Sequence, residues 1–279
     1  MKGSEIMRIQ NNITAVNSHR QYGINNNKIS KNVEKLSSGF RINRAGDDAA
    51  GLAISEKMRS QVRGLYMASK NSQDAISLVQ VAEGGMQTIQ DILQRMRELA
   101  VQSASDTNTS SDRDALQKEV NALIEEVDDI AKTTEFNTMV LLDGTFSGKL
   151  VQAGANKGQT MSISITSVSA NGLGVDVLTG AGIKTQTAAS DAIGTIDLAL
   201  GKVSDFRADL GAYQNRLEYK IQNLDNAAEN MQAAESRIRD ADMAKMMTEF
   251  TKNNIMFQAS TAMLAQANSL PQSVLRLLG

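Results

Sequence analysis

The chain has 279 residues, and its 29 Lys plus Arg against 31 Asp plus Glu give no general pull toward nucleic acid or an anionic membrane. The absence of Trp, with only 4% aromatics, removes the stacking platforms of a single-strand nucleic-acid binder, and the absence of Cys removes disulfides and thiolate metal sites. The one histidine, His19, cannot build a two-histidine zinc helix, a Ser-His-Asp triad would have to recruit it from a polar helical stretch, and no Gly spacing fits a phosphate loop, so no catalytic, cofactor or metal residue is expected.

In chain order, residues 1–10 lack an apolar core of signal-peptide length, so any export is expected to bypass a cleaved signal. Gly46 followed by Asp47-Asp48 predicts a helix N-cap with first-turn acids. Val79, Ala82, Met86, Ile89, Leu93, Met96 and Ala100 then step by threes and fours without a break. Residues 103–110 read as a polar loop, and Ser111-x-x-Asp114 as a capping box opening a second helix. That helix carries Leu116, Val120, Leu123, Val127 and Ile130 at the same spacing.

Composition shifts between Asp143 and Ser190, which hold eight of the 20 glycines. Met161, Ile163 and Ile165 alternate with Ser162, Ser164 and Thr166, the mark of a half-buried strand. Residues 149–153 are its expected partner and 154–158 the connection. A loose connection is expected through Ala170 to Ser190; its Ser and Thr also suit O-glycosylation, though plain turn and loop is the preferred reading. Val203, Phe206, Leu210, Tyr213 and Leu217 resume the seam, followed after a small phase shift by Ile221, Leu224, Ala228 and Met231. Sustained three-four spacing predicts bundle or coiled-coil packing. With Pro271 as the only proline, helices can run beyond about 50 residues. The fold class is mainly α: a long antiparallel helical bundle or coiled-coil rod with a small β-hairpin.

Asn253 to Gly279 carries a single charge, Arg276, yet ten large apolar side chains from Ile255 to Leu278. Asn268, Gln266, Gln272 and Ser273 interrupt the segment, so it is no membrane span. A lone helix of this kind does not recover its ordering entropy, so the end is expected to be completed by lateral burial against a partner.

Several stretches resemble bacterial flagellins. They are Ile9-Gln10-Asn11-Asn12, the run from Leu36 to Ile54 (LSSGFRINRAGDDAAGLAI), Leu93 to Gln102 (LQRMRELAVQ), Phe136-Asn137, Gly144, Gln152 to Ile163, Leu264 to Asn268 (LAQAN) and Pro271 to Leu275 (PQSVL). The resemblance covers about Met7 to Leu142 and Ala192 to Gly279 and resembles a short form with its outer domains nearly absent.

It implies terminal helices paired as an inner, filament-core domain from residues 1–46 and 240–279. The rod domain would take residues 47–142 and 191–239, around a short variable region, 143–190, bearing the hairpin. Polymer-core contacts are expected at Ile9, Ile13, Val16, Val33, Leu36, Phe250, Phe257, Leu264, Leu275 and Leu278. Gly39, Gly46 and Gly51 are expected to permit bends at the junction. The turn and hairpin at 143–166 would be the supercoil switch; unchanged filament curvature after shortening it would count against that. Residues matching Arg95, Leu99 and Glu119 would meet the flagellin-sensing Toll-like receptor of animal cells, with Arg95 and Leu99 on one helix face.

The partners so implied are other copies of the chain, an export chaperone on the apolar C-terminal helix, the flagellar export apparatus, and filament cap and junction proteins. Neither nucleic acid nor membrane insertion is implied, and the location is the secreted, extracellular filament. Translation is expected to start at Met7, because Lys2-Gly3 can be encoded by a purine-rich AAA-GGA resembling a ribosome-binding site. The alternative within the superfamily is a hook-filament junction protein. Outside it stand a secreted enzyme with flagellin-like ends, disfavoured by the short insert and missing histidine pair, and an unrelated helical adaptor.

Overall fold

The computed structural model describes residues 11–278, with side chains through residue 270. Met7 and Ile9 lie outside the described residues, as do the side chains of Leu275 and Leu278. The chain divides into two compact units: Met1–Ser60 with Met231–Gly279, and Gln61–Asn230.

In the first unit, α1 (Ile13–Ser38) opens on Asn12, whose side chain accepts from the Ala15 amide, and closes on Gly39, left-handed at φ 74°. Helix α6 (Met243–Leu278) opens on Asp242, whose carboxylate accepts from the Ala244 and Lys245 amides. The two run antiparallel: Asn12 donates to the Ala267 carbonyl, the Tyr22 and Phe257 rings lie 4.9 Å apart, and Phe40 forms a β-bridge with Asp240. That bridge ties together the two strands of chain leaving the pair. The Arg41 amide donates to the Arg239 carbonyl at 2.7 Å, and the Ala241 amide to the Gly39 carbonyl at 2.9 Å. The Arg239 guanidinium lies 4.7 Å over the Phe40 ring and donates to Glu56 at 2.6 Å.

Helix α2 (Ala49–Ser103) starts on Asp48, whose Oδ1 accepts from the Gly51 amide at 2.9 Å. The expected first-turn acids are absent from the helix. Asp47 instead accepts from the Asn43 and Arg44 amides and closes the preceding turn. Those two bonds, Arg44 first and then Asn43, hold its pKa below the usual carboxylate value. Of the three junction glycines, Gly39 needs its positive φ, and a Cβ at Gly51 would meet the Asp48 carboxylate and come within 2.9 Å of Ile42. Gly46 meets neither demand.

In the second unit, the middle of α2 packs with α3 (Ser110–Thr133) and the first part of α5 (Gln186–Arg239). Both pairings are antiparallel. Arg97 meets Asp197 while Glu83 meets Arg207, and Arg95 meets Glu119 while Arg113 reaches the Ser103 carbonyl. The seven α2 seam positions from Val79 to Ala100 are all buried. Val203, Leu210, Leu217, Leu224 and Ala228 are buried in α5, as the spacing predicts.

Helix α3 differs from expectation. Its buried stripe is Gln117, Val120, Ile124, Val127 and Ala131, which leaves Leu116, Leu123 and Ile130 half-buried. Its capping box is formed by Thr109 and Asp112, not Ser111 and Asp114. The reason lies in the loop: Arg113 donates to the carbonyls of Ser103 and Ser105, which fixes the chain so that Thr109 stands at the cap.

Two hairpins follow. Strands β1 (Glu135–Phe136) and β2 (Met139–Val140) are joined through Asn137 and Thr138, both at positive φ. The expected hairpin pairs β3 (Lys149–Gln152) with β4 (Thr160–Ile163), placing Leu150 opposite Ser162. Met161, Ile163 and Ile165 turn inward.

The stretch after Ala170 is not loose. It forms a short helix, α4 (Ala170–Leu173), and a 3-10 turn (Asp176–Leu178), and it buries Leu173, Val175, Leu178 and Ile183. Four apolar groups in fourteen residues suffice to hold it because α3 satisfies its backbone.

Candidate functional site

The terminal pair, α1 with α6, buries the wrong kind of residue for a self-sufficient two-helix domain. In α1 the buried side chains are two amides, Asn25 and Asn32. From α6 the buried groups are Met246, Ser260 and Ala267. Asn25 donates to Ser260 Oγ at 2.7 Å and to the Met256 carbonyl at 3.3 Å, so a buried amide ties the two helices together. Many of the large apolar side chains remain exposed. Ile13 and Val16 are 63% and 68% exposed, and Ile24, Val33, Met243, Met247, Ile255, Met256 and Met263 are exposed as well. This many exposed large apolar side chains on one helix pair mark it for interaction.

Of the expected polymer-core residues, Ile13, Val16 and Val33 therefore stand exposed. Leu36, Phe250, Phe257 and Leu264 are half-buried, with Phe257 tilted at 34° against Tyr22. The polar seam was not read from the sequence. Its signal was present in Asn25 and Asn32, spaced by two helical turns on a helix whose apolar residues fall elsewhere.

On the second unit, Arg95 and Glu119 form an exposed, forked ion pair, with Nε and Nη2 donating to Glu119 Oε1 at 3.0 and 2.8 Å. Glu98 accepts from Nη1. These bonds, Glu119 first and Glu98 next, hold the guanidinium pKa above its ordinary value. Leu99, one helical turn from Arg95, is 1% exposed, in the core beside Met96 and Ala100.

Gln117 is the polar residue the periodicity overlooked. Fully buried, it accepts from the Ile183 amide at 2.7 Å and donates to the Leu178 carbonyl at 2.8 Å. Asn121 accepts from the Gly180 amide, Asp128 from the Ala170 amide, and Ser103 donates to the Ile183 carbonyl. One face of α3 thus serves as the hydrogen-bond template for the segment between the hairpin and α5.

Asp112 closes the α3 cap, accepting from the Thr109 hydroxyl at 2.7 Å and the Thr109 amide at 2.9 Å. Those bonds, the hydroxyl first, lower its pKa. A folded pKa below the unfolded one adds stability that is present above the unfolded value and lost as pH falls through the folded one. Asp112→Asn is therefore expected to flatten the loss of stability below about pH 4. Urea melts from neutral to acid pH check this; an unaltered acid slope contradicts it.

Chemistry is sparse. His19 is solvent-exposed, and among the described residues no group of three or more His, Cys, Asp or Glu is placed to hold a metal ion. No described helix is long and apolar enough to cross a membrane.

The bacterial flagellin N-terminal helical region matches residues 9–147, and the bacterial flagellin C-terminal helical region matches residues 193–278. The chain belongs to the bacterial flagellin family. A flagellin of Halalkalibacterium halodurans is 57% identical over 272 residues, covering 98% of this chain and all of that protein. The flagellar filament 31.3 kDa core protein of Treponema maltophilum is 51% identical, again over 98% of this chain and all of its own length. Among solved structures, the flagellin of Bacillus cereus matches with a TM-score of 0.51 and 35% identity, over 60% of this chain and 94% of that one. Membership of the flagellin family makes the role structural.

Proposed function

We propose that this chain is the repeating subunit of a bacterial flagellar filament, and that its terminal helices are completed only by neighbouring copies. The observation that carries this reading is the α1–α6 pair, which buries two amides of α1 while leaving Ile13, Val16, Val33, Ile255 and Met263 exposed. Lateral and head-to-tail contacts by one chain generate an open helical polymer when the rotation does not close. The names of the full-length relatives favour a filament protein over the hook-filament junction reading.

Polymerisation tests it. Purified protein, seeded or salted and pelleted, is expected to give long uniform filaments in negative stain. A variant lacking Asn253 to Gly279 is expected to give none. A full-length chain that stays a soluble monomer under the same conditions contradicts the reading.

Under this proposal residues 1–46 and 240–279 act as the filament core, and 47–142 with 191–239 as the rod around it. A chaperone covers α6 until the export apparatus takes the chain and the filament cap receives it. The exposed apolar face of α6 is what makes a chaperone physically sensible.

The Arg95–Glu119 pair supplies an exposed, charge-directed contact for the flagellin-sensing receptor, while Leu99 sets the position of Arg95 from inside the core. Arg95→Asp is expected to weaken receptor binding by tenfold or more with an unchanged helical circular dichroism spectrum. Unaltered binding by the folded variant removes the receptor role.

A further inference from the structure

Charge is unevenly shared along the chain. Met1–Ser60 with Met231–Gly279 hold 15 Lys and Arg against 9 Asp and Glu, whereas Gln61–Asn230 holds 14 against 22. The basic excess has a focus. Lys28, Lys31 and Lys35 share one side of α1 at spacings of three and four, and Lys252 of α6 joins them around a groove of about 330 Å³. Asn32 lines this groove, is 8% exposed, and its Nδ2 has no hydrogen-bond acceptor.

Glu249 is the groove's one carboxylate. Glu34, close by, is engaged with Arg44, and Asp47 feels Lys35 and Lys31 through space while accepting backbone bonds. None of the four lysines forms an ion pair among the described residues. Four ammonium groups around a buried, unsatisfied amide favour an oxyanion.

In a polymer of identical chains every copy brings the same groove, and an acid from a neighbouring copy is its electrostatic complement. The chain supplies one in fixed proportion. Gln61–Asn230 carries the opposite excess, and Glu125, Glu126 and Asp129 on α3 are exposed and without an ion-pair partner among the described residues.

We propose that the Lys28–Lys31–Lys35–Lys252 groove receives carboxylates from the Gln61–Asn230 unit of a second copy, and so helps fix how copies register. The proposal rests on the filament reading. It adds an electrostatic, salt-sensitive contact to an assembly otherwise driven by apolar burial.

Cross-linking tests it. Isotope-labelled and unlabelled copies are mixed, polymerised and treated with a zero-length carbodiimide, which joins a lysine amine to a carboxyl as an amide. Mixed-isotope peptides linking the four lysines to acids within Gln61–Asn230, absent from monomer, are expected. The double variant Lys31→Gln, Lys35→Gln is expected to raise the critical concentration for polymerisation about tenfold at low salt, with the gap closing at high salt.

Filaments in which these lysines link only within their own copy, or only to acids of the terminal segments, overturn the proposal. So does inorganic phosphate, at constant ionic strength, shielding the same lysines in the monomer, because the groove would then be a small-anion site. If the unaltered chain forms no polymer at all, the filament reading itself has failed, which the pellet reports before any cross-link is read.

Discussion

Gln117→Ala is expected to destabilise the Gln61–Asn230 unit by about 2–5 kcal/mol. Removing this side chain leaves the Ile183 amide and the Leu178 carbonyl without their partner in a fully buried setting. Each unsatisfied buried group costs about 1–3 kcal/mol. Urea unfolding measures the effect, as a midpoint lowered by about 1–2 M. Gln87→Ala is the internal comparison, because its bond to Asp91 is exposed and water can replace it. A Gln117→Ala midpoint no lower than that of Gln87→Ala would mean that the Gln117 bonds do not anchor the segment. Gln117→Glu is also expected to destabilise, since it keeps an acceptor for Ile183, loses the donor to Leu178 and buries a charge.

The second large effect separates assembly from folding. Ile13→Asp with Val16→Asp places two carboxylates on an exposed apolar face where the described chain has no use for the original side chains. Stability of the monomer is expected to change by no more than about 0.5 kcal/mol, as for most surface substitutions. Filament yield is expected to fall at least tenfold, because each charge must enter the contact between copies without a partner. Leu93→Ala has the opposite profile. Leu93 is fully buried within the second unit, and its truncation is expected to lower stability by about 2–5 kcal/mol. A double Asp variant that still fills the pellet with filaments would show that this face of α1 is not used in assembly.

The seams of α2 and α5 were legible in the sequence because both helices bury one apolar stripe against neighbours on one side. Met86, Ile89 and Leu93 needed only their spacing. Helix α3 was half legible, and for a physical reason. Its core face includes Gln117, a polar residue that a hydrophobic pattern assigns to solvent, so the inferred stripe slipped by one residue at Leu116, Leu123 and Ile130. The same residue explains why residues 170–190 looked loose. Their order depends on α3 side chains at Gln117, Asn121 and Asp128, distant in sequence, and leaves no local period. The cap at Thr109 was displaced from the expected Ser111 because Arg113 ties the loop to Ser103 and Ser105.

At the chain ends the apolar excess was plain, and with it the need for a partner. Which groups meet inside the α1–α6 pair was not, since the buried Asn25 and Asn32 carry no apolar signal and Asn25 finds its partners, Ser260 and the Met256 carbonyl, only across the pair. The different exposure of Arg95 and Leu99 was not legible from their spacing. One helical turn sets them near each other along the axis, but the core boundary runs between them, with Arg95 paired outside to Glu119 and Leu99 enclosed.

The claim that the terminal helices depend on neighbouring copies is tested most directly by amide hydrogen exchange, compared between monomer and filament of the same preparation. Amides of Ile13–Ser38 and of α6 through Leu270 are expected to exchange rapidly in the monomer and to become protected by several orders of magnitude in the filament, while the middle of α2 is protected in both. Strong protection of α1 and α6 in the monomer, equal to that of α2, would contradict the account, because the terminal pair would then be a finished domain on its own.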